Sequence, residues 1–438
     1  MARIEQDIKE YERKVAGGVA FLDAHRVIEP EQEAQAWRDN LTDDIDYLIP
    51  FPGIAQDIQQ WILASSMYPQ PAISFAATMS ILSVCIGRNI AYENIKGNLM
   101  FICMAESGEG KDYPFKAAKR LLNACGLGGS VYSRMASGAA LMESLQESPS
   151  LLFHVDEFGN YLTSINGKNA NPFAKEVVDI MTESYTSAGD EISGKKTKGN
   201  EPIKIKEPNL CVFGLSSERQ LFDGLRTSDL ANGSLARYSL LFGLNGLMPV
   251  KTKVFDIPKS LIQGVIELKE RYEKGFFVKS TQLEIDEIYR DEKFNLVRRT
   301  KEKCILLSGN KEAFKPVYNR IALRSIQQAM LVDQCKDIAV LRWFEALELR
   351  SIDVFMKKFL HLGSDNEIEK HFKDVENCIK KAGTKGISQK ELLSKTRHVE
   401  TGNRNRILNE LVNCGAAFVK DVKTGRPGPV PRLYFWSK

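Results

Sequence analysis

Two apolar segments, each ending in residues suited to a nucleoside triphosphate, constrain the fold of this 438-residue chain most strongly. The first, MFICM at 100–104, leads into the glycine-containing stretch AESGEGKD at 105–112. The second, LLFHV at 151–155, ends in Asp156 and Glu157. Short apolar runs bounded by turn residues are typical of buried strands. Together with the helical segments between them, they predict an α/β fold with a largely parallel sheet flanked by helices.

The glycine-containing turn predicts a phosphate-binding loop. Its glycines let backbone N–H groups converge on phosphate oxygens, and Lys111 adds positive charge near the β- and γ-phosphates. The usual pattern is G-x-x-x-x-G-K-[ST], but here Ala105 replaces the first glycine and Asp112 replaces the hydroxyl residue. The alternative is an ordinary strand-to-helix turn with a solvated lysine. We expect ATP to contact Ser107, Gly108, Glu109, Gly110, Lys111 and Asp112.

The second strand favours the nucleotide interpretation, because its carboxylates come 45 residues after Lys111. Asp156 is expected to hold Mg²⁺ directly or through water, with Asp112 as a second carboxylate ligand. Glu157 is placed to orient and deprotonate the attacking water. The sequence thus predicts ATP and Mg²⁺ as cofactors.

Composition narrows the class of protein. A hydrophobic fraction of 43% and a charged fraction of 26% are those of a globular protein, and the length predicts two or three domains. The eight cysteines form no C-x-x-C pair, so reduced thiols in a cytoplasmic protein are expected rather than a disulfide framework or a zinc site. The apolar segment 72–86 is too short to cross a bilayer and predicts a buried helix. We expect no signal peptide and no membrane association.

Changes in pattern along the chain predict five parts. Residues 1–47 form a charged arm or linker, residues 48–90 a helical collar, and residues 91–250 the ATPase core. Residues 251–365 lack strand alternation and predict a helical, lid-like domain. Residues 366–438 predict a winged helix-turn-helix: a capped helix from Ser388, a helix over 401–413, and a hairpin around a basic turn.

Basic residues in this last part predict DNA contact. Arg404 and Arg406 lie on the second helix, and Lys423 and Arg426 lie in the turn of the hairpin. The alternative is a solvated helix face and turn. Their clustering on the two parts of a winged helix that face DNA favours duplex binding.

The order of these parts resembles the AAA+ P-loop ATPases of phage and plasmid replication, which are akin to superfamily III and MCM-type helicases. The resemblance covers residues 48–245 and rests on the phosphate loop, FHVDE at 153–157, GLSS at 214–217 and GSLARY at 233–238. It implies that Ser216, or Ser217, senses the γ-phosphate, and that Arg237 is an arginine finger offered to a neighbouring subunit. It also implies a ring, commonly a homo-hexamer, that moves along DNA.

Three lysines, at 195, 196 and 198, could line the channel of such a ring and bind single-stranded DNA without reading its sequence. A mobile solvated loop is the alternative for these lysines, and a surface salt bridge is the alternative for Arg237. A replication partner at the N-terminal arm is conceivable, although no residue pattern indicates one.

Three functions follow from these expectations. The leading one is an ATPase that works as a ring-forming DNA motor, a replicative helicase of a phage or other mobile element. The second is an ATP-controlled replication initiator or helicase loader with little hydrolysis, which Asp112 favours slightly. The third is a DNA-binding regulator with a decayed ATPase core, against which Lys111, Asp156, Glu157 and Arg237 argue because all four are intact.

Overall fold

The structure is a computed structural model. It describes residues 46–133, 135, 137–166, 172–195, 201–225, 229–230, 233–252, 256–273, 280–397, 399–413, 415–421 and 432–437. The chain divides into two compact units, Met1–Met356 and Lys357–Lys438. The charged arm predicted over 1–47 lies outside the described residues, except for its last two positions.

The described residues form twelve strands: β1 (Ile90–Ala91), β2 (Met100–Met104), β3 (Val131–Tyr132), β4 (Ser150–Val155), β5 (Glu191–Ser193), β6 (Lys204–Lys206), β7 (Asn209–Ser216), β8 (Ser239–Phe242), β9 (Thr281–Gln282), β10 (Ile387–Ser388), β11 (Ala417–Asp421) and β12 (Arg432–Trp436). They also form fourteen α-helices: α1 (Ile54–Ala64), α2 (Pro71–Leu82), α3 (Asp112–Ala124), α4 (Gly138–Glu147), α5 (Phe158–Asn166), α6 (Pro172–Thr186), α7 (Glu218–Gly224), α8 (Lys259–Tyr272), α9 (Glu287–Leu306), α10 (Lys315–Asn319), α11 (Ile321–Asp333), α12 (Ile338–Ala382), α13 (Gln389–Lys395) and α14 (Thr401–Asn413).

A five-stranded sheet lies at the centre of the first unit, in the order β3-β4-β7-β2-β8, and all its pairings are parallel. Every residue of β2 and β7 is buried. This explains why these strands read as continuous apolar runs, since a parallel sheet is covered on both faces. The predicted α/β core with a parallel sheet is therefore confirmed, and it is compatible with a Rossmann-like architecture.

Helix α2 is the buried helix predicted for the apolar segment near residue 80. All its residues from Ala72 to Leu82 are buried, and a π-helical turn, Ser83–Gly87, continues it. Two hydrogen bonds tie this turn to the sheet, because Ser150 Oγ donates to the Val84 carbonyl and Asn209 Nδ2 donates to the Ser83 carbonyl, both at 2.8 Å. Among the described residues, no helix is both long enough and apolar enough to cross a membrane.

Residues 256–356 of the first unit are mostly helical, as predicted for the lid-like region, with one exception. Strand β9 pairs in parallel with β1, which lies far from it in the sequence. Two residues are too few to give an alternating pattern, so this pairing left no signal in the sequence.

The second unit has its own apolar core, which includes Val375, Ile379, Leu392 and Ile407. Helix α13 begins as predicted, because the Ser388 hydroxyl accepts a hydrogen bond from the Glu391 N–H at 3.2 Å. Helix α14 follows along the chain. The three strands of the unit form an antiparallel sheet in which β12 lies between β10 and β11. The helices and strands expected here are thus present, whereas the turn that carries Lys423 and Arg426 lies outside the described residues.

Candidate functional site

The predicted nucleotide residues meet at the carboxyl edge of the central sheet. Strand β7 lies between β2 and β4, with Met104 paired to Ser216 and Val155 paired to Gly214. The glycine loop after β2 and the carboxylates after β4 therefore leave the same edge, about 10 Å apart across β7, given about 4.8 Å between neighbouring strands. Ligands of open α/β sheets bind outside this edge.

The glycine loop, residues 105–112, contains two positions whose backbone conformation favours glycine. Gly108 and Gly110 have φ angles of +91° and +75°, a region that favours glycine. A side chain at position 110 would lie 2.6 Å from Cβ of Tyr68, so the loop also needs glycine there for space. Among the described residues, the N–H groups of Ser107, Gly108, Gly110, Lys111 and Asp112 have no backbone acceptor.

Lys111 and Asp112 lie where the loop turns into α3. The Lys111 Nζ folds back to the carbonyl oxygen of Ala105, at 3.4 Å. That contact is long for a hydrogen bond and involves no carboxylate, so the ammonium group can turn to a phosphate at little cost. Asp112 is the first residue of α3 and is exposed. Its carboxylate stands at a helix N-terminus, where a negative charge is stabilised.

Glu109 has a structural role that the sequence did not reveal. Its two carboxylate oxygens accept hydrogen bonds from the N–H groups of Gly246 and Leu247, at 2.9 and 3.0 Å. The Glu109 side chain therefore anchors the glycine loop to the segment after β8, and the expected contact of Glu109 with nucleotide stays a prediction. Asn245 joins the same two segments, since its Oδ1 accepts from the Glu106 N–H at 3.0 Å.

Gln70, which no sequence pattern singles out, forms hydrogen bonds with both the glycine loop and the segment after β8. It is fully buried at the start of α2. Its Nε2 donates to the carbonyls of Glu109 and Leu244, and its Oε1 accepts from the Leu244 N–H, all within 2.8 Å. A glutamine in a helical segment gives no signal of this kind, because its partners are backbone groups 39 and 174 residues away.

Asp156 and Glu157 are both exposed at the end of β4. The Asp156 carboxylate accepts from the Glu157 N–H at 2.9 Å. Glu157 has a φ of +51°, in the left-handed region that costs a side-chain-bearing residue free energy. Its carboxylate accepts from Asn160 Nδ2 at 2.7 Å, which fixes its direction. Strain of this kind is concentrated at functional sites.

His154 lies just before these carboxylates and is buried against Phe115, with stacked rings whose centroids are 3.7 Å apart. Burial lowers the pKa of His154 to about 4, although the nearby Asp156 opposes the shift. The imidazole is therefore neutral at physiological pH and contributes no charge beside the carboxylates.

Ser216, the expected γ-phosphate sensor, is completely buried at the end of β7. Its Oγ accepts a hydrogen bond from the Gly159 N–H at 3.3 Å, which links β7 to the helix that follows Glu157. Ser217 begins α7, because its hydroxyl accepts from the Gln220 N–H at 3.3 Å. Both serines hold the framework around Glu157, and the sensing role stays a prediction.

A metal ion at this edge of the sheet would need phosphate oxygens of the nucleotide as ligands in addition to protein carboxylates. Within the described part of the chain, no group of three or more His, Cys, Asp or Glu side chains is arranged to hold one. Mg²⁺ is commonly bound by one or two carboxylates together with substrate phosphates. The exposed carboxylates of Asp156 and Asp112 fit that arrangement in their chemistry.

Arg237 lies at the opposite edge of the sheet from the glycine loop. It ends a 3₁₀ turn, Leu235–Arg237, just before β8. In β8, Ser239 pairs with Phe101 and Phe242 pairs with Met104. The four residues of β8, at 3.3 Å per residue, therefore place Arg237 about 13 Å from the start of the glycine loop, measured along the strands. Its guanidinium donates to the Gly233 carbonyl at 2.8 Å and to the Thr186 hydroxyl at 3.3 Å, and its buried Nε has no partner among the residues that the structure describes.

The lysines expected to bind single-stranded DNA follow β5, which pairs antiparallel with β6. Lys195 is 81% exposed and pairs with Glu176 at 2.7 Å. Lys196 and Lys198 lie outside the described residues.

The two arginines of α14 differ in their surroundings. Arg404 is only 4% exposed, and its guanidinium donates to the Thr396 hydroxyl, the Thr396 carbonyl and the Val399 carbonyl. It thus joins α14 to the end of α13, and this burial argues against the DNA contact expected for Arg404. Arg406 is exposed and remains a candidate contact.

Comparisons with known proteins add no family to this description. No protein-family model matches the chain, and no curated protein matches it in sequence.

Proposed function

We propose that this chain is an ATP-dependent, ring-forming motor that acts on DNA, with the role of a replicative helicase of a phage or other mobile element. One observation carries the proposal. A glycine loop, whose backbone N–H groups mostly have no backbone acceptor within the described residues, shares the carboxyl edge of a parallel sheet with the exposed carboxylates of Asp156 and Glu157. The loop suits phosphates, whereas the carboxylates suit a metal ion and water.

The mechanism follows from charge and position. The loop N–H groups and Lys111 would bind the β- and γ-phosphates, and Asp156 and Asp112 would hold Mg²⁺, which neutralises charge on the phosphates when bound. Glu157, directed by Asn160, would accept a proton from the attacking water. Phosphoryl transfer needs little more from the protein than positioning and charge neutralisation.

The proposed action on DNA rests on basic residues at two places. Lys195 lies on the β5–β6 hairpin, and Arg406 lies on the exposed face of α14. The antiparallel sheet and the two helices of the second unit have the order of elements of a winged helix, which reads duplex DNA with its second helix.

The second candidate is an ATP-controlled initiator or helicase loader, and Asp112 is the observation that favours it. The exposed carboxylate occupies the position of the usual hydroxyl residue. It would bring negative charge towards the triphosphate, which slows turnover unless metal offsets it. In this case ATP would bind and control assembly with little hydrolysis.

Equilibrium binding of ATP with Mg²⁺ tests the nucleotide site itself. Lys111→Ala should weaken binding about tenfold or more, because a charge-assisted contact to phosphate is lost. Lys116→Ala is the matched control, since Lys116 is exposed one turn further along α3 and should leave the affinity unchanged. Equal affinity of all three proteins, or no binding by the unaltered chain, would contradict the proposed site.

A further inference from the structure

The antiparallel sheet of the second unit has one face against the apolar core and one face away from it. Ile387 and Tyr434 form a cross-strand pair, and both are buried in that core. Because side chains alternate between the two faces along a strand, the residues on either side of this pair belong to the opposite face. The register of the three strands places five residues there, which together form the outer face: Ser388, Phe418, Lys420, Leu433 and Phe435.

Two aromatic rings are stacked on the outer face. Phe418 and Phe435 are a cross-strand pair, and their ring planes lie 11° apart with centroids separated by 5.3 Å. Parallel rings at this separation are offset, which is an arrangement that aromatic pairs prefer. Gly386, just before β10, leaves room for the pair, since a side chain there would lie 2.7 Å from the Phe435 ring. Its φ of +66° also favours glycine.

The ring stack ends at an edge of the sheet. Strand β12 lies between β10 and β11, so Phe435 has Gly386 on one side and Phe418 on the other. Phe418 belongs to β11, which has no second neighbouring strand among the described residues. Its ring is 39% exposed. The described part of the unit therefore leaves one side of Phe418 open to another flat ring.

Lys420 is the charged member of the outer face. Its Nζ lies 5.3 Å from the centroid of the Phe418 ring and 5.7 Å from that of Phe435, within the range of a cation–π interaction. Lys420 is exposed, and within the described part of the chain it forms no ion pair with a carboxylate. The outer face thus combines an open aromatic ring with a positive charge. This combination is complementary to a partner that carries flat rings and negative charge.

We propose that the outer face binds single-stranded DNA, with one unpaired base stacked on the open side of Phe418 and a phosphate of the strand against Lys420. Aromatic rings beside basic residues are the surface on which unpaired bases stack. The bases of a duplex are paired and stacked inside the helix, so they are not free for Phe418. This contact uses the sheet and differs from the duplex contact expected of α14. The choice of DNA rests on the proposed function, whereas the stacking of a base does not.

The first experiment asks whether binding depends on the base. Fluorescence anisotropy follows the binding of two labelled single strands to the full chain without ATP. One is an oligodeoxythymidylate of about 12 nucleotides, and the other has the same backbone with abasic sites throughout. Phe418→Leu should weaken binding of the thymidine strand about tenfold, the loss of one stacked base, and leave the affinity for the abasic strand unchanged. No loss for the thymidine strand, or an equal loss for both strands, would overturn the stack.

Val419→Ala is the matched control for Phe418→Leu. Val419 is the next residue of β11, is 37% exposed, and pairs with Tyr434 on the other face of the sheet. This variant should bind both strands as the unaltered chain does. Thermal unfolding of each variant shows whether the second unit still folds.

Phe418→Trp tests the stack without removing the ring. Its indole should lose fluorescence when the thymidine strand binds, beyond any change seen for the unaltered chain, because a base then lies on the ring. The abasic strand should cause no such loss. A thymidine strand that binds and leaves the fluorescence of this indole unaltered would overturn the stack, even if Phe418→Leu does not fold.

Lys420→Gln should give a different pattern, since it removes a phosphate contact and no base contact. Both strands should bind more weakly, and the slope of log affinity against log salt concentration should become shallower by about 0.7. Lys395→Gln is the control, because Lys395 pairs with Glu391 on its own helix. An unchanged slope for Lys420→Gln would overturn the phosphate contact.

These outcomes separate the outer face from the proposed motor. A chain that hydrolyses no ATP but loses base-dependent binding in Phe418→Leu would contradict the motor and support the stack. An active motor whose binding of the thymidine strand does not depend on Phe418 would contradict the stack alone. An unaltered chain that binds neither strand would overturn the stack at any rate of hydrolysis.

Discussion

His154 illustrates how burial can set the protonation state of a side chain two residues before the proposed metal ligand Asp156. It stacks on Phe115, and its buried Nε2 has no partner within the described part of the chain. Its pKa falls to about 4 because the charged form loses its hydration. The unfolded chain takes up this proton near pH 6.5, whereas the folded chain does so only near pH 4.

This difference predicts a pH-dependent stability. As the pH falls from 6.5 to 4, the unfolded state binds more protons than the folded state, so the free energy of unfolding decreases, by up to about 3 kcal/mol from this residue. Above pH 6.5 its contribution is constant. His154→Phe removes the titrating group and keeps an aromatic ring on Phe115. Denaturant unfolding should show that the free energy of unfolding differs less between pH 5 and pH 7.5 for the variant than for the unaltered chain. An equal difference for both proteins would refute the burial argument.

Glu157 predicts opposite effects on stability and activity. Glycine has no penalty at its φ of +51°, so Glu157→Gly should raise the free energy of unfolding by about 1 kcal/mol relative to Glu157→Gln, which keeps the strained backbone. Both should lose ATP hydrolysis, since neither can accept a proton from water. Urea unfolding of the two variants measures the effect. A glycine variant less stable than the glutamine variant would show that the left-handed backbone carries no strain.

At the level of elements, the glycine loop depends on contacts made by α2 and by the segment after β8. Gln70→Ala leaves the carbonyls of Glu109 and Leu244 and the Leu244 N–H without their partner in a buried place. We expect a loss of about 2–3 kcal/mol in the free energy of unfolding and a weaker affinity for ATP. Gln263→Ala, at an exposed position of α8, is the control. A Gln70→Ala chain with unaltered stability and ATP affinity would mean that the loop holds its shape alone.

The helices of the second unit give a paired prediction for two neighbouring arginines. Arg404→Ala removes the donor to Thr396 and Val399 and should lower the stability of the unit by about 2–3 kcal/mol. Arg406→Ala should change stability by less than about 0.5 kcal/mol, yet weaken binding to duplex DNA and reduce its salt dependence. The reverse pattern, with Arg404→Ala folded and defective only in DNA binding, would restore the role that the sequence suggested.

These two arginines also show where sequence reasoning ends. The helical spacing places positions 404 and 406 on different faces, but the sequence does not say which face meets the carbonyls at the end of α13. Glu109 is a similar case, because its partners, Gly246 and Leu247, are distant backbone groups. The glycines themselves are visible in the sequence, and Gly108 and Gly110 lie where the backbone takes positive φ angles.

In the whole molecule, most of the strands and helices could be predicted, whereas their neighbours in space could not. Strand β2 and helix α14 match the predicted residues, and β4 begins one residue earlier than predicted. Three of the four pairings in the order β3-β4-β7-β2-β8 join segments more than 50 residues apart, which leave no local pattern.

The division of the chain into five parts stays a prediction. Two compact units meet at residues 356 and 357, close to the boundary at 365 and 366 that the change in pattern suggested. Helix α12, Ile338–Ala382, spans this region without a break in its pattern, so the sequence could not set the position precisely to a residue.

The rate of ATP hydrolysis with and without single-stranded DNA tests the central claim most directly. We expect the unaltered chain to hydrolyse ATP faster when DNA is present. Lys111→Ala and Glu157→Gln should each abolish this hydrolysis, whereas Lys116→Ala should not. ATP binding without turnover, whether DNA is present or absent, would contradict the motor and favour the ATP-controlled initiator or helicase loader.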